Sequence, residues 1–313
     1  MKLARLAVAA GLTAYILWRI DPGAALDALA VADWRWVAAA VGLVLVDRAL
    51  MAYRWLVLLR PIGARTRPPF AVVLRLFFVS TFVGTFLPAS IGGDAVRAVA
   101  LSRHGVGVAD SVASVLVDRV FGTLSILLVA AAAVPFAPAS VPGWLPAVAV
   151  AAAFAATAVV ALGLFSESAA RFASTLLRRV TRGKIHTAGA DLLQSLRRYG
   201  SSPGALSNVL AGSIAVQLLR VSQAWLLGLA LGIALGPAAY LVYVPVILLV
   251  MLLPITINGI GTSQAAFVWL FAESGVAAAD AFALSILFVA LGVVGNLPGG
   301  ILYATGGVHG QAR

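Results

Sequence analysis

The sequence contains no cysteine, which excludes disulfide bonds, thiolate zinc sites and iron–sulfur clusters. It has only three histidines, His104, His186 and His309, and these lie far apart in predicted loops. We therefore expect no metal site and no cofactor. Charged residues are also scarce, at 11% of the 313 residues compared with about 25% in an ordinary soluble domain.

Long apolar runs take the place of the missing charge, and 62% of the residues are hydrophobic. Runs of about 20 residues recur, which is the length that a helix needs to cross a bilayer. The pattern predicts an all-α, polytopic integral membrane protein. About six full spans are expected, near 3–20, 35–59, 111–135, 144–165, 206–232 and 281–304. The first is interpreted as an uncleaved helix rather than a signal peptide.

The net charge of +11 could suit a nucleic-acid-binding protein. In so apolar a chain, however, basic residues are better explained by cytoplasmic loops that face anionic lipid. Segments 60–69 and 166–205 are the most basic and are therefore predicted to be cytoplasmic, as are both termini. We expect a multi-pass protein of the cell inner (plasma) membrane, with no nucleic-acid partner.

The parity of the crossings predicts two helical hairpins. The chain is inside near residues 65 and 170, and 111–135 with 144–165 already makes a round trip. Segment 70–101 must therefore enter and return on one side. By the same reasoning, 239–272 enters and leaves from the other side. The alternative for the first hairpin is a full span at 70–88 followed by a surface helix at 89–101.

Both hairpins are interrupted by a proline and glycine motif, "LPASIGG" at 87–93 and "LPITING" at 253–259. Five of the seven positions are identical or similar, which indicates an inverted repeat. We predict one transmembrane domain over 1–313, with a first half at 1–165 and a second half at 206–313. The basic segment 166–205 connects them.

Charged residues fall inside the predicted spans and on both arms of the first hairpin, where charge is costly and usually functional. They are Asp47, Arg48, Arg54, Arg75, Asp94, Arg97, Asp118, Arg119 and Arg220. Arg54 and Arg75 lie near cytoplasmic ends, where snorkelling to the surface is the simpler explanation. Asp94 and Arg97 are three residues apart and can pair on one helical face.

Arginine forks match the geometry of phosphate groups. We therefore predict a cavity that binds an anionic lipid headgroup through Arg48, Arg97 and Arg119, with Asp94 and Asp118 orienting the arginines. The alternative is a helix cap with an internal salt bridge. The remaining predicted binding residues lie at the two breaks and are Pro88, Gly92, Gly93, Asn258 and Gln264.

The second hairpin carries no charge. Its polar residues, Asn258, Thr262, Ser263 and Gln264, and the later "NLPGG" at 296–300 could line the other side of a headgroup path or simply join helices by hydrogen bonds. Two glycine rows are predicted to serve helix packing. They are Gly228, Gly232 and Gly236, and Gly295 and Gly299.

Three stretches resemble the lysylphosphatidylglycerol synthase transmembrane-region family. They are "FVGTFLPASIGGDAVRA" at 82–98, "SVASVLVDRVFG" at 111–122 and "LLPITINGIGTSQAAF" at 252–267. Two departures are an aspartate, Asp118, where a glutamate is expected, and Gln264 where the family often has a glutamate. The resemblance implies lipid translocation. Aminoacyl transfer is not implied, because the synthase chemistry resides in a soluble domain that we expect to be absent.

We therefore expect a flippase or scramblase for an anionic or phosphate-bearing lipid in a bacterial inner membrane. No GxSxG, HExxH or GxxxxGK[ST] motif is present, and we do not expect an enzyme. Two alternatives stay open. The chain could be a subunit that docks on a lipid-modifying enzyme through 166–205, or an enzyme of lipid or lipid-carrier modification. A homo-oligomer is also left open.

Overall fold

The computed structural model describes residues 22–61, 68–86, 91–137, 144–166, 168, 171–172, 175, 183–252 and 261–306. All regular secondary structure in these ranges is helical. The helices are α1 (Pro22–Ala30), α2 (Trp34–Leu58), α3 (Phe70–Phe86), α4 (Ile91–Ser102), α5 (Val108–Ala133), α6 (Trp144–Phe165), α7 (Gly183–Gly200), α8 (Pro203–Ala230), α9 (Pro237–Leu252), α10 (Thr262–Ala272) and α11 (Ala278–Gly306). A 3₁₀ turn, Val134–Phe136, continues α5.

Four stretches are long and apolar enough to cross a membrane: Trp34–Leu58, Val108–Phe136, Pro203–Ala230 and Ala278–Ala304. They confirm the all-helical, multi-pass membrane class, and they coincide with four of the expected spans. The span predicted at 144–165 coincides with α6, a helix of 22 residues. The span predicted at 3–20 lies outside the described residues.

The central pair of the bundle is α2 and α8, which pack along each other over most of their length. The Asp33 carboxylate starts α2 by accepting a hydrogen bond from the Arg35 amide at 2.9 Å, as an N-cap does. The Asp33 amide in turn donates to the Ala230 carbonyl at 2.8 Å. The start of α2 is thereby fixed to the end of α8, so the two helices run antiparallel.

Two short helices lie between two long ones at two places along the chain: α3 and α4 between α2 and α5, and α9 and α10 between α8 and α11. α3 and α4 have 17 and 12 residues, and α9 and α10 have 16 and 11. At about 1.5 Å per residue, none reaches the roughly 30 Å of a bilayer core. α3 packs against α4 and α9 against α10. The predicted break at 253–259, with Asn258, and residues 87–90 of the predicted break at 87–93, with Pro88, lie outside the described residues. Residues 91–93 of the first break are helical and begin α4.

Glycines bring several of these helices into backbone contact. A Cβ on Gly299 of α11 would lie 2.0 Å from the Phe78 carbonyl oxygen of α3, and one on Gly228 of α8 would lie 1.8 Å from the Tyr240 hydroxyl of α9. A Cβ on Gly295 would meet Val44 at 2.8 Å. The packing prediction is confirmed for these three glycines.

The packing prediction is wrong for the other two members of the glycine rows. Gly232 and Gly236 have no described neighbour within 4 Å of an added Cβ. Gly232 instead ends α8 with a φ of +71°, a conformation that glycine adopts without strain.

Two apolar clusters leave a polar belt between them. On α2, one cluster ends at Val44 and the other begins at Ala52. On α8, they end and begin at Val209 and Val221. Asp47 and Arg48 of α2 and Arg220 of α8 lie in these gaps, so the fold places them together between the two clusters. Arg54 lies just beyond the gap on α2.

Candidate functional site

Two adjoining cavities occupy the polar belt, with volumes of about 380 Å³ and 270 Å³. The first takes Asp47 and Arg48 from α2, and the second takes Met51 and Arg54, one to two turns further along the helix. The cavities are therefore stacked along the bundle. Five residues line both of them: Thr81, Asp94, Arg97, Arg119 and Arg220.

A continuous chain of ion pairs crosses from α2 through α5 to α4. Arg54 donates to one Asp118 oxygen through Nε at 2.9 Å and through Nη2 at 2.7 Å. Arg97 Nη2 donates to the other Asp118 oxygen and to Asp94, both at 3.2 Å. Arg119 Nε donates to the second Asp94 oxygen. Arginine and aspartate alternate along this first ion chain, and both of its ends are arginines.

A second ion chain lies on α2 and α8. Arg48 Nη1 donates to Asp47 Oδ2 at 2.6 Å, and Arg220 Nε lies 3.6 Å from Asp47 Oδ1. Arg48 Nε also donates to Asn296 Oδ1 at 3.0 Å, and Asn296 Nδ2 donates to Thr85 Oγ1 at 3.0 Å. Asn296 therefore joins the second ion chain to the end of α3, beside the predicted break.

The two ion chains contain five arginines and three aspartates, which leaves two positive charges in excess. Burial is deep in both ion chains: the Asp47 side chain of the second is 1% exposed, and the Arg54 and Asp118 side chains of the first are 3% and 5% exposed. Arg119, at the other end of the first ion chain, is 38% exposed. Charge in such a place attracts anions strongly, because little water is present to screen it.

Arg97 occupies the junction of the cavities. Its guanidinium carbon lies 5.0 Å from the centre of the Trp55 ring and 5.6 Å from that of Phe77, which are cation–π distances. Among the described residues, its Nε has no hydrogen-bond partner. The aromatic rings hold the guanidinium in place, and the Nε donor stays available to a ligand in the cavities.

Each aspartate accepts from or faces two arginines. Asp118 pairs with Arg54 and Arg97, and Asp94 with Arg97 and Arg119. Carboxylates paired in this way fix the positions of the arginine side chains that they contact. The arrangement can bind an anion.

The structure brings six of the ten predicted site residues to the cavities, and it confirms the predicted pairing of Asp94 with Arg97. The six are Arg48, Gly93, Asp94, Arg97, Asp118 and Arg119. Gly93 lets α4 approach α3 closely, since an added Cβ would lie 3.0 Å from the Ser80 carbonyl oxygen. Their role in binding a substrate stays a prediction.

The other four predicted residues are not seen at the cavities. Gly92 lies in the first turn of α4 and is half-buried, and it is not among the lining residues described. Gln264 is buried at the start of α10, where its Oε1 accepts from the Gly261 amide at 2.6 Å and from the Ser263 hydroxyl at 3.0 Å. Pro88 and Asn258 lie outside the described residues.

The snorkelling interpretation of Arg54 is wrong. The carboxylate of Asp118 and the Ser213 hydroxyl, which accepts from Nη1 at 2.9 Å, hold this guanidinium inside the bundle. Sequence position alone could not reveal this, because the partners lie on other helices. Four further residues that line the cavities were not predicted for the site: Asp47, Arg220, Gln217 and Gln223. The last three occupy every third position of α8, and this spacing was a readable signal.

Part of the basic segment 166–205 packs on the bundle as α7. Arg198 Nη1 donates to Asp110 of α5 at 3.1 Å, and Tyr199 is fully buried. Burial raises the pKa of the Tyr199 phenol well above its usual value. α7 therefore has a structural contact of its own, and the predicted docking of an enzyme on this segment stays a prediction.

Comparison with known proteins identifies a family. A family model described as the lysylphosphatidylglycerol synthase TM region matches residues 2–299. No curated protein sequence matches the chain. The matched range includes every described residue that lines the two cavities.

Proposed function

Because the chain belongs to the lysylphosphatidylglycerol synthase transmembrane-region family, we propose that it moves an anionic or phosphate-bearing lipid across the bacterial inner membrane. The family links the chain to lipid modification or translocation. Translocation, as a flippase or scramblase, agrees best with the chemistry of the cavities. The residues that hold the headgroup in this proposal are Arg48, Arg97 and Arg119, oriented by Asp94 and Asp118.

The observation that carries the proposal is the excess of arginine in the polar belt. A charged side chain at the bilayer centre costs about 2.5–3.5 kcal/mol on insertion scales. Three aspartates offset only part of that cost for five arginines. An anionic headgroup supplies the missing negative charge, and a phosphate matches the forked donors of arginine.

We further propose that the two sets of four helices, α2–α5 and α8–α11, are inverted repeats. The order long, short, short, long occurs in both. The packing is also reciprocal, since α3 packs on α11 of the other set as α9 packs on α5. The short pairs α3–α4 and α9–α10 would then be re-entrant hairpins that enter from opposite faces. Such repeats typically move against each other around a central site.

The proposed orientation places both termini and 166–205 in the cytoplasm. The second cavity then lies nearer the cytoplasmic face, since Arg54 lies four residues before the end of α2 at Leu58. The proposal treats 1–313 as one transmembrane domain. It requires no covalent chemistry from the chain, and the paired state of its cavity aspartates supports a transporter rather than an enzyme.

Reconstitution into lipid vesicles tests the proposal. Purified protein would be placed in vesicles that contain a trace of acyl-chain-fluorescent phosphatidylglycerol, so that the headgroup stays native. A membrane-impermeant reductant bleaches the outer half of the label, and bleaching beyond that half reports lipid movement. We expect wild-type protein to give this excess and Arg97→Gln to lose most of it.

Two further variants make the result specific. Arg119→Gln alters a part-exposed end of the first ion chain and should also slow movement. Arg103→Gln alters an exposed arginine after α4 and is the matched control. Equal rates of lipid movement in Arg97→Gln, Arg119→Gln and Arg103→Gln would show that Arg97 and Arg119 do not bind the moving headgroup. If wild-type vesicles bleach no further than empty ones, the subunit or enzyme interpretation replaces the proposal.

A further inference from the structure

A row of three side chains crosses the wall of the first cavity from α2 through α11 to α3. Arg48 of α2 donates through Nε to Asn296 Oδ1 at 3.0 Å, and Asn296 Nδ2 donates to Thr85 Oγ1 at 3.0 Å. All three residues line the first cavity. We call them the strap, because they tie α2 and α3 of one helix set to α11 of the other.

The hydrogen bonds of the strap can run in one direction only. A guanidinium has donors and no acceptor, so the Asn296 atom that faces Arg48 is the oxygen. The amide nitrogen then faces Thr85, whose hydroxyl donates to the Thr81 carbonyl at 3.0 Å and can therefore accept. Asn296 thus links α2 and α3 through the two ends of its amide.

Arg48 directs one edge of its guanidinium at α11. Nε donates to Asn296 and Nη2 donates to the Gly292 carbonyl at 3.4 Å, while Nη1 donates to Asp47 at 2.6 Å. Each nitrogen therefore has an acceptor, whereas Arg97 Nε has none among the described residues. A phosphate can reach Arg97 directly, but it can reach the Nε–Nη2 edge of Arg48 only if α11 moves away.

α11 has a weak point beside the strap at which it can bend. Pro298 lies inside the helix and has no amide hydrogen to donate to the Val294 carbonyl, four residues earlier. After Pro298, α11 packs closely on α3, since an added Cβ on Gly299 would lie 2.0 Å from the Phe78 carbonyl oxygen. Before Pro298, the strap holds α11 to α2. Release of the strap would therefore free the first part of α11 while the last part stays on α3.

We propose that the anionic headgroup opens the strap by taking the Nε and Nη2 donors of Arg48 from Asn296 and Gly292. α11 then bends at Pro298, away from α2. Hydrogen bonds to a charged phosphate are about twice as strong as those to neutral acceptors, which favours the exchange. The headgroup binds the open form more tightly, and this difference shifts α11 towards it. The inference rests on the proposed function, and it assigns Arg48 the coupling of headgroup binding to helix movement.

A pair of cysteines can report the contact between α2 and α11. An added Cβ on Gly295 would lie 2.8 Å and 3.2 Å from the two γ carbons of Val44. In a disulfide, the Cβ of one cysteine lies about 3 Å from the sulfur of the other, so Val44→Cys and Gly295→Cys are placed to cross-link. The chain has no cysteine of its own, and these two are therefore the only thiols in the double variant.

Cross-linking in detergent tests the release of the strap without any lipid movement. The rate of disulfide formation would be measured in a maltoside detergent with phosphatidylglycerol, or with diacylglycerol, which has the same acyl chains and no phosphate. We expect phosphatidylglycerol to slow cross-linking about fivefold or more relative to diacylglycerol, as one or two exchanged hydrogen bonds allow. Adding Arg48→Gln should abolish the difference. Adding Arg103→Gln, at an exposed arginine, is the matched control and should keep it.

Lipid movement by the cross-linked protein tests whether release is required. Fluorescent phosphatidylglycerol in vesicles would be followed by extraction into albumin, because the reductant of the bleaching assay would cleave the disulfide. We expect the cross-linked double variant to move lipid about tenfold or more slowly than the same protein after reduction. Gly295→Cys alone, oxidised in the same way, should move lipid equally fast before and after reduction.

Asn296→Leu tests the strap without cysteines and keeps the inference testable if the double variant does not fold. The change removes both strap hydrogen bonds and keeps the shape of the side chain. Fewer bonds must then break before α11 moves, so we expect lipid movement to be about threefold to fivefold faster. A residue with only a structural role would give no such gain. Asn208→Leu, at an exposed position of α8, is the matched control.

Three results would each overturn the inference. They are equal lipid movement in the cross-linked and reduced double variant, an effect of phosphatidylglycerol on cross-linking that is absent or persists with Arg48→Gln, and lipid movement by Asn296→Leu no faster than by Asn208→Leu. If phosphatidylglycerol slows cross-linking through Arg48 but wild-type vesicles move no lipid, the proposed translocation fails and the release of the strap by the headgroup stands.

Discussion

The helix sets α2–α5 and α8–α11 have the same order of long and short helices, yet they bring different chemistry to the cavities. The first set supplies nearly all of the charge: Asp47, Arg48, Arg54, Asp94, Arg97, Asp118 and Arg119. The second set supplies one charge, Arg220, and the neutral amides Gln217, Gln223 and Asn296. Two similar frameworks thus present a charged wall and an amide wall to the same space.

The difference indicates that the charged wall and the amide wall have different roles in binding. Charged groups bind an anion strongly but must be paired with one another when the site is empty, so the charged wall is tied together by ion pairs. Amide groups discriminate between ligands through hydrogen bonds and need less compensation when unpaired. Changes in the charged wall should therefore affect stability most, and changes in the amide wall should affect it less.

The largest expected effect comes from Asp118→Ala on the charged wall. The change leaves Arg54 and Arg97 buried without their shared carboxylate, and breaking a buried pair costs about 3–5 kcal/mol. We expect the free energy of unfolding in detergent to fall by that amount, measured by denaturant titration of the helix signal. Asp191→Ala, at an exposed acid on α7, is the control and should change it little.

A loss as small as that of Asp191→Ala would mean that the arginines find other counter-ions readily. The contrast between the charged and amide walls would then not extend to stability.

The next largest effect concerns the packing between the helix sets α2–α5 and α8–α11 rather than the side chains that line the cavities. In Gly299→Ala, the new Cβ would lie 2.0 Å from the Phe78 carbonyl oxygen, so α11 and α3 must separate. We expect a loss of about 1–3 kcal/mol in the free energy of unfolding, which is typical of overpacking. Gly42→Ala is the matched control, because an added Cβ there meets nothing within 4 Å.

A melting temperature that falls equally in both glycine variants would show that the loss does not come from the α3–α11 contact. Helix propensity itself favours alanine, so Gly42→Ala should be neutral or slightly stabilising.

The sequence predicts the fold class well because membrane helices have a strong and local signal. A run of about 20 apolar residues needs no knowledge of its neighbours. The pairing of Asp94 with Arg97 was equally readable, since residues three apart share a helical face. Both predictions depend on distances along the chain, which the sequence contains.

What the sequence could not supply was contact between distant helices. Arg54 looks like a snorkelling residue because it lies near the end of its span, and only the approach of α5 and α8 brings Asp118 and Ser213 to it. Gln264 was expected on the headgroup path because of its neighbours in sequence. Its side chain instead turns back to the Gly261 amide, a local hydrogen bond that competes with any ligand.

A smaller effect is expected where the two walls meet. Asn296 of the amide wall bridges Arg48 of the charged wall and Thr85 at the end of α3. We expect Asn296→Ala to lower the free energy of unfolding by about 1–2 kcal/mol, because one hydrogen bond is lost on each side. A double-mutant cycle with Thr85→Val isolates one of the two bonds and should give a coupling of about 0.5–1.5 kcal/mol.

A coupling near zero in that cycle would show that the Asn296–Thr85 contact does not hold the walls together. Ser222→Ala, at an exposed hydroxyl of α8 that bonds only within its own helix, is the control for removal of a small polar group.

The smallest effect concerns a buried polar atom that has no described hydrogen-bond partner and belongs to neither wall. The Tyr199 hydroxyl on α7 has no described hydrogen-bond partner, as Gln217 Oε1 has none, but Tyr199 does not line either cavity. If orphan atoms at the cavities serve a ligand and this one does not, Tyr199→Phe should leave lipid movement unchanged. Its free energy of unfolding at pH 7 should stay within about 0.5 kcal/mol of wild type, because only an unpaired hydroxyl is removed.

The pH dependence gives the Tyr199→Phe prediction a direction. Burial raises the pKa of the phenol in the folded protein, so Tyr199 stays protonated there when the unfolded chain begins to ionise near pH 10. The unfolded state then binds fewer protons, and wild-type stability falls as the pH rises through 10. Tyr199→Phe should lose less stability between pH 9 and 11 than wild type, measured by melting temperature. Tyr303→Phe, at an exposed position, should follow wild type, and identical curves for all three proteins would show that the Tyr199 phenol is not held in its protonated form by the fold.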